Sequence, residues 1–174
     1  MATTGGLATS GVQVCSLKRD TPQLIQPGGY TILRFPFGAD ESTDRFDMHQ
    51  LAQPDGYVIT DWENDDRSGL IWPSRSGWGH LYGMIQWEAA SATGGYTELR
   101  DQYVRDPLSL GSPTPNDTTA TEHRAPTPGI QCYVKGHGLF VNPATPLALR
   151  VAHNDSVARN VILAEFKLAI HEAA

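Results

Sequence analysis

The chain has 174 residues, with 13 basic and 19 acidic side chains, so its formal charge is −6 with its six histidines neutral. That balance argues against a phosphate-backbone binder, whose affinity comes from clustered Lys and Arg, and no apolar run nears the roughly 20 residues of a membrane helix. With 40% apolar residues, 17 Gly and 12 Pro, the composition is that of one globular domain. The opening Met1-Ala2-Thr3-Thr4-Gly5-Gly6 does not read as a signal peptide, so we expect an unsecreted, soluble protein. Two cysteines, Cys15 and Cys132, are too few for a disulfide framework.

In chain order, residues 1–29 are broken by Pro22, Pro27 and Gly28-Gly29 and read as an extended arm with at most one short strand. Residues 30–174 read as the folded domain. Tyr30 to Phe37 is β-branched and aromatic, with Pro36 marking its end. Pro54-Asp55-Gly56 opens a second strand over Tyr57–Trp62, and Gly69–Pro73 is a third. From Trp78 to Ala89 the odd positions are apolar or small: Gly79, Leu81, Gly83, Ile85, Trp87. The even positions carry Trp78, His80, Tyr82, Met84, Gln86 and Glu88, so this strand has a core face and a mixed face.

Strands follow at Tyr96–Arg105 and Thr118–Glu122, the second inside a long loop. Ile130–Val134 and Leu139–Val141 are expected as strands separated by a turn or bulge at Gly136-His137-Gly138. Leu147–His153 is the next strand. The final stretch places Ile162, Ala164, Phe166, Leu168 and Ile170 on one face; its residues also suit a helix, but its period-two pattern favours a strand. Eight or nine short strands at this spacing predict an all-β sandwich.

Chemistry-bearing patterns are sparse. None of His49, His80, His123, His137, His153 or His171 forms HxH or HExxH, so we expect no metal and no cofactor. Asp61-Trp62-Glu63-Asn64-Asp65 begins like a calcium loop but has Asp66 where that loop needs glycine, and reads as a solvated acidic turn. No Ser lies in a nucleophile-elbow pattern, and Cys132 reads as a small core residue. No catalytic residue is assigned.

The mixed face beginning at Trp78 remains. Aromatic residues and Met are enriched at protein interfaces, and Trp78, Tyr82 and Met84, with Tyr103 supplied by a neighbouring strand, are the candidate subunit-interface residues. The same residues could pack beneath a loop or form a sugar-binding groove.

Residues Gly77-Trp78-Gly79-His80-Leu81-Tyr82-Gly83 resemble the aromatic-rich central strand of the C1q/tumour-necrosis-factor jelly roll. Leu147–Asn154 followed by Ala164–Leu168 is similar to that family's penultimate and closing strands. The resemblance implies a jelly-roll β-sandwich and a compact homotrimer with an aromatic inter-subunit face. Only Lys18, Lys135 and Lys167 among the basic residues are lysines, a bias that accompanies GC-rich genomes. An unsecreted, GC-rich jelly roll with an N-terminal arm resembles virion proteins of tailed phages of actinobacteria, either minor tail or fibre proteins or capsid decoration proteins. It implies a non-enzymatic structural role on the virion, with other virion proteins gripped by the arm and a host-surface glycan as a further partner. An arm of 29 residues reaches about 90 Å if extended. A carbohydrate-binding module or glycan hydrolase is the competing expectation.

Overall fold

Apolar rows on alternate positions of a strand must be buried, and the chain buries them between two facing antiparallel sheets. The computed structural model describes residues 11–38, 43–90, 97–111 and 117–172. In chain order the strands are β1 (Gln13–Arg19), β2 (Gln23–Ile25), β3 (Thr31–Ile32), β4 (Thr43–Asp44), β5 (Gly77–Ala90), β6 (Leu99–Arg105), β7 (Asp117–Arg124), β8 (Gly129–Val141), β9 (Leu147–His153) and β10 (Arg159–Glu172). The larger sheet runs β4-β1-β10-β5-β8, with β2 also paired to β10; the smaller runs β3-β9-β6-β7. Strands distant in sequence lie side by side, β1 against β10 above all. This is the all-β sandwich that the alternation predicts, in the jelly-roll form that the resemblance implies.

Leu81, Ile85 and Trp87 of β5 meet Ala164, Phe166, Leu168 and Ile170 of β10 in the core, opposite Leu99, Tyr103, Leu147, Leu149 and Val151 of the smaller sheet. The closing segment is a strand, not a helix. Its phase differs at one point: a β-bulge between Val161 and Leu163 turns Val161 inward and leaves Ile162 half-buried.

Several expected elements come out differently. The segment 13–25, expected to belong to an extended arm, is part of the sandwich: β1 pairs with β10 from Gln13 opposite Ile170 to Arg19 opposite Ala164. Cys15, Leu17 and Ile25 are fully buried, so the boundary expected at residue 30 does not separate an arm from a core. Residues 1–10 lie outside the described residues.

The strand expected over 30–37 shrinks to β3, because side chains take over the backbone groups a ladder would use. The Gln23 side chain accepts from the Arg34 amide at 3.0 Å, and Arg19 donates to the Arg34 carbonyl at 2.8 Å. Residues 57–62 form no strand beyond one Ala52–Val58 bridge, since Asp61 caps the Glu63 amide and turn chemistry wins. Residues 69–73 contribute one bridge, Ile71 to Leu147. Gly136-His137-Gly138 is neither turn nor bulge; β8 runs straight through it, paired with β5.

The two sheets differ on their outer faces. Behind β9, Ala148 joins Ile32, Leu70 and Trp72 in a second cluster, with Leu108 and Leu110 packed against it. The loops around Leu70 and Leu108 therefore cover this side of the smaller sheet. The larger sheet keeps apolar side chains open on its outer side.

Candidate functional site

Alternation along β5 aims Trp78, His80, Tyr82 and Met84 outward, while antiparallel register sets their neighbours. On β8, Phe140 lies opposite Trp78, Gly138 opposite His80, Gly136 opposite Tyr82 and Val134 opposite Met84. On β10, His171 lies opposite Trp78, Ala169 opposite His80, Lys167 opposite Tyr82 and Glu165 opposite Met84. Beyond β10, β1 adds Val14 beside Ala169 and Lys18 beside Glu165.

The result is a face with an aromatic end and a charged end. Trp78 is 39% exposed, Tyr82 37%, Val134 55% and Phe140 65%. The Trp78 indole meets Phe140 edge-on, with centroids 5.1 Å apart. Its Nε1 donates to His80 Nε2 at 3.0 Å, and the His80 ring lies 5.4 Å from His171. Glycine makes this stack fit: a Cβ on Gly138 would sit 2.7 Å from the Trp78 ring. At the other end Lys167 lies 5.1 Å over the Tyr82 ring and bridges Glu165 at 2.8 Å.

Three of the four expected interface residues, Trp78, Tyr82 and Met84, share this face. Tyr103 does not. It is fully buried between the sheets, where its hydroxyl donates to the Lys135 carbonyl at 2.9 Å, and burial followed by the charge of Asp101 pushes the phenol well up. Its position in β6 points it at Phe166 in the core, 6.0 Å away. Cys132, expected in the core, is exposed, while Cys15 is the buried one. Burial, then the charge of Asp44, pushes the Cys15 thiol up.

The sequence reading missed Phe140, Val134 and His171 on the face, and a polar group inside the sandwich. Lys135 and Asp101 form a buried ion pair between the sheets, with Arg124 Nε 3.6 Å from the second Asp101 oxygen. Desolvation holds the Lys135 ammonium below the ordinary lysine range, against the opposing pull of Asp101. Only the inward phase that Lys135 shares with Tyr133 and Leu139 hinted at this.

Two other concave regions are built for structure. A depression beside Phe37 and His49 is centred on Asp44, whose carboxylate accepts from the amides of Met48 and His49 and from Gln50. In the acidic turn, Asp61 accepts from the Glu63 amide and Asn64, Asp65 from the Arg67 amide and Tyr57, and Asp66 pairs with Arg34. These carboxylates cap turns. Among the described residues no three His, Cys, Asp or Glu side chains gather as a metal cluster.

The sheet orders are those of a jelly-roll sandwich, and solved structures with the same fold include complement C1q and tumour-necrosis-factor domains. Among solved structures, the globular domain of zebrafish complement 1qA protein superposes with a TM-score of 0.57 at 10% identity, over 93% of this chain and 99% of that one. Eiger TNF from S. frugiperda superposes at 0.55, with 10% identity and 94% of each chain covered. At that identity the likeness establishes the fold alone. No protein-family model matches the sequence, and no curated protein is detectably similar to it.

Proposed function

We propose that the chain is a non-enzymatic structural protein that works as a homotrimer, joined through the outer face of its larger sheet. The observation that carries this is the contrast between the two sheets. The smaller sheet has its outer apolar residues covered by its own loops, whereas Trp78, Tyr82, Val134 and Phe140 stand open together. Clustered exposed apolar groups mark interaction sites, where scattered ones do not. The resemblance to C1q/tumour-necrosis-factor jelly rolls supports three as the number of copies.

Within this reading, the surface of a phage particle is the place we propose for the trimer, as a minor tail or fibre protein or a capsid decoration protein. Its support is the jelly-roll fold in a short, arginine-biased chain; the twelve residues ahead of β1 are the part assigned to grip another virion protein. The competing carbohydrate-binding reading draws less from the face. Sugar platforms need an open aromatic plane, and Trp78 is held edge-on by both Phe140 and His80.

Native mass spectrometry of the purified chain tests the assembly. A mass three times 19.0 kDa is expected. Tyr82→Glu, which places a charge in the face, should shift the population towards monomer. A monomeric wild-type chain at micromolar concentration, or a Tyr82→Glu protein of unchanged mass, overturns the reading. Tail or capsid position is tested by finding the chain in purified particles.

A further inference from the structure

We propose that self-association through this face is gated by protons, with His80 and His171 as the sensing groups, so that the assembly holds near neutral pH and comes apart in mild acid. The inference rests on the assembly reading above and adds its regulation. Histidine is the side chain that ordinarily changes charge between pH 5 and 8. Two of the six stand together here, on adjacent strands, inside the aromatic end of the face.

The hydrogen bond between Trp78 and His80 fixes how a proton would act. An indole N–H only donates, so His80 Nε2 must be the unprotonated acceptor, leaving the ring proton on Nδ1. An imidazolium has donors at both nitrogens. Protonating His80 therefore destroys this bond and sets a donor against a donor, beside the indole that also packs on Phe140. Protonating His171 places a second charge 5.4 Å from the first.

Among the described side chains on the strands around them, these charges meet no unpaired carboxylate. Across β8 the outward residues opposite His80 and Trp78 are Gly138 and Phe140. Along β10 the next outward groups are Ala169, Lys167 and Glu165, and Lys167 already holds Glu165. On β5 the next outward ionisable group is Tyr82, and β1 contributes Val14 opposite Ala169 and then Lys18. Two arginines reach the margin: Arg75 donates to the Ile170 carbonyl at 3.4 Å, and Arg105 to the Phe140 carbonyl at 3.3 Å. Arg105 is itself paired with Asp117 at 3.3 Å, so among these described neighbours no carboxylate is left over for an added imidazolium. Covering this end with another subunit favours the neutral imidazoles, and association weakens as pH falls.

The test is the dissociation constant of the wild-type protein at pH 7.5 and 5.5, read by native mass spectrometry and sedimentation. It is run alongside the double variant His80→Gln/His171→Gln. Glutamine keeps an acceptor for the Trp78 indole but cannot take a proton, and both positions are exposed. Each histidine kept neutral one pH unit below its ordinary titration point weakens association about tenfold. The wild type should therefore bind itself at least about tenfold more weakly at pH 5.5 than at pH 7.5 with its circular dichroism unchanged, while the double variant's dissociation constant, whatever its value at pH 7.5, should be the same at pH 5.5. A wild-type assembly indifferent to pH, a double variant as acid-sensitive as the wild type, or dissociation accompanied by unfolding overturns the gating and leaves the assembly reading standing. A wild-type chain already monomeric at pH 7.5 overturns the assembly reading itself.

Discussion

Asp101 and Lys135 are charges hidden between the two sheets and among the most consequential for stability. One comes from each sheet, and both side chains are essentially inaccessible, at 0% and 1% exposure. Removing the lysine leaves the buried Asp101 carboxylate with only the longer Arg124 contact at 3.6 Å, so Lys135→Met should cost about 3 kcal/mol in urea unfolding. Replacing both, as Asp101→Leu/Lys135→Met, should recover most of that loss. Recovery distinguishes a charge requirement from simple packing.

Two buried acids set the alkaline limit. The Cys15 thiol and the Tyr103 phenol are both raised by burial and then by a neighbouring carboxylate, from ordinary values of 9.0 and 10.0. In the unfolded chain they ionise at those ordinary values, while the folded protein keeps their protons. Their stabilisation is complete below pH 9 and is lost as pH rises. Lys135 acts with the opposite sign, because its lowered folded value makes its contribution grow as pH climbs towards 10.5. Comparing wild type with Cys15→Ala cancels the Lys135 and Tyr103 contributions. The variant should start less stable at pH 7 and lose less between pH 9 and 10.5 in thermal melts. These residues were poorly legible in the sequence for one reason. Alternation assigns a residue to a row, but an inward Lys or Asp makes its row look outward.

At the scale of elements, legibility followed how cleanly the two rows of a strand differ. β5 and β10 each contrast an apolar row with a mixed one, and both read correctly apart from the bulge near Val161. β1 did not, because Val12 and Val14 point outward while Cys15 and Leu17 point inward, so apolar residues occupy both rows and the period cancels. The consequence is testable. Deleting residues 1–29 removes β1 and β2, unpairs one side of β10 and opens the core around Phe166 and Leu168, so this truncation should fail to fold cooperatively. Deleting residues 1–10 leaves every described strand in place and should retain the native circular dichroism and melting temperature. Glycines misled in a second way. Gly136 and Gly138 read as a turn, yet β8 runs straight through both, and Gly138 leaves room for the Trp78 ring, which a Cβ there would meet at 2.7 Å. Gly138→Val should displace the Trp78 indole, shift its fluorescence and weaken self-association without unfolding the sheet.

For the whole molecule, the deciding feature is which outer surface the chain covers by itself. The residues that make the face were half legible. Trp78, Tyr82 and Met84 lie on one strand and could be read from it, whereas Phe140, Val134 and His171 join only through strand register, which a linear pattern does not contain. Placement on the face, not hydrophobicity alone, should then determine which apolar residues matter. Phe140 and Val157 are both well exposed, at 65% and 54%, but Val157 lies in the turn between β9 and β10, away from the aromatic stack. Burying a large apolar side chain against another copy contributes about 1.5–3 kcal/mol, and each 1.4 kcal/mol is about tenfold in an association constant. Phe140→Ser should therefore weaken self-association by about tenfold or more per contact, whereas Val157→Ser should leave the native mass distribution unchanged. Equal effects at the two sites would mean that association is driven by scattered apolar residues, and the face would lose its special standing. A loss at Phe140 alone would tie the assembly to the open outer face of the larger sheet.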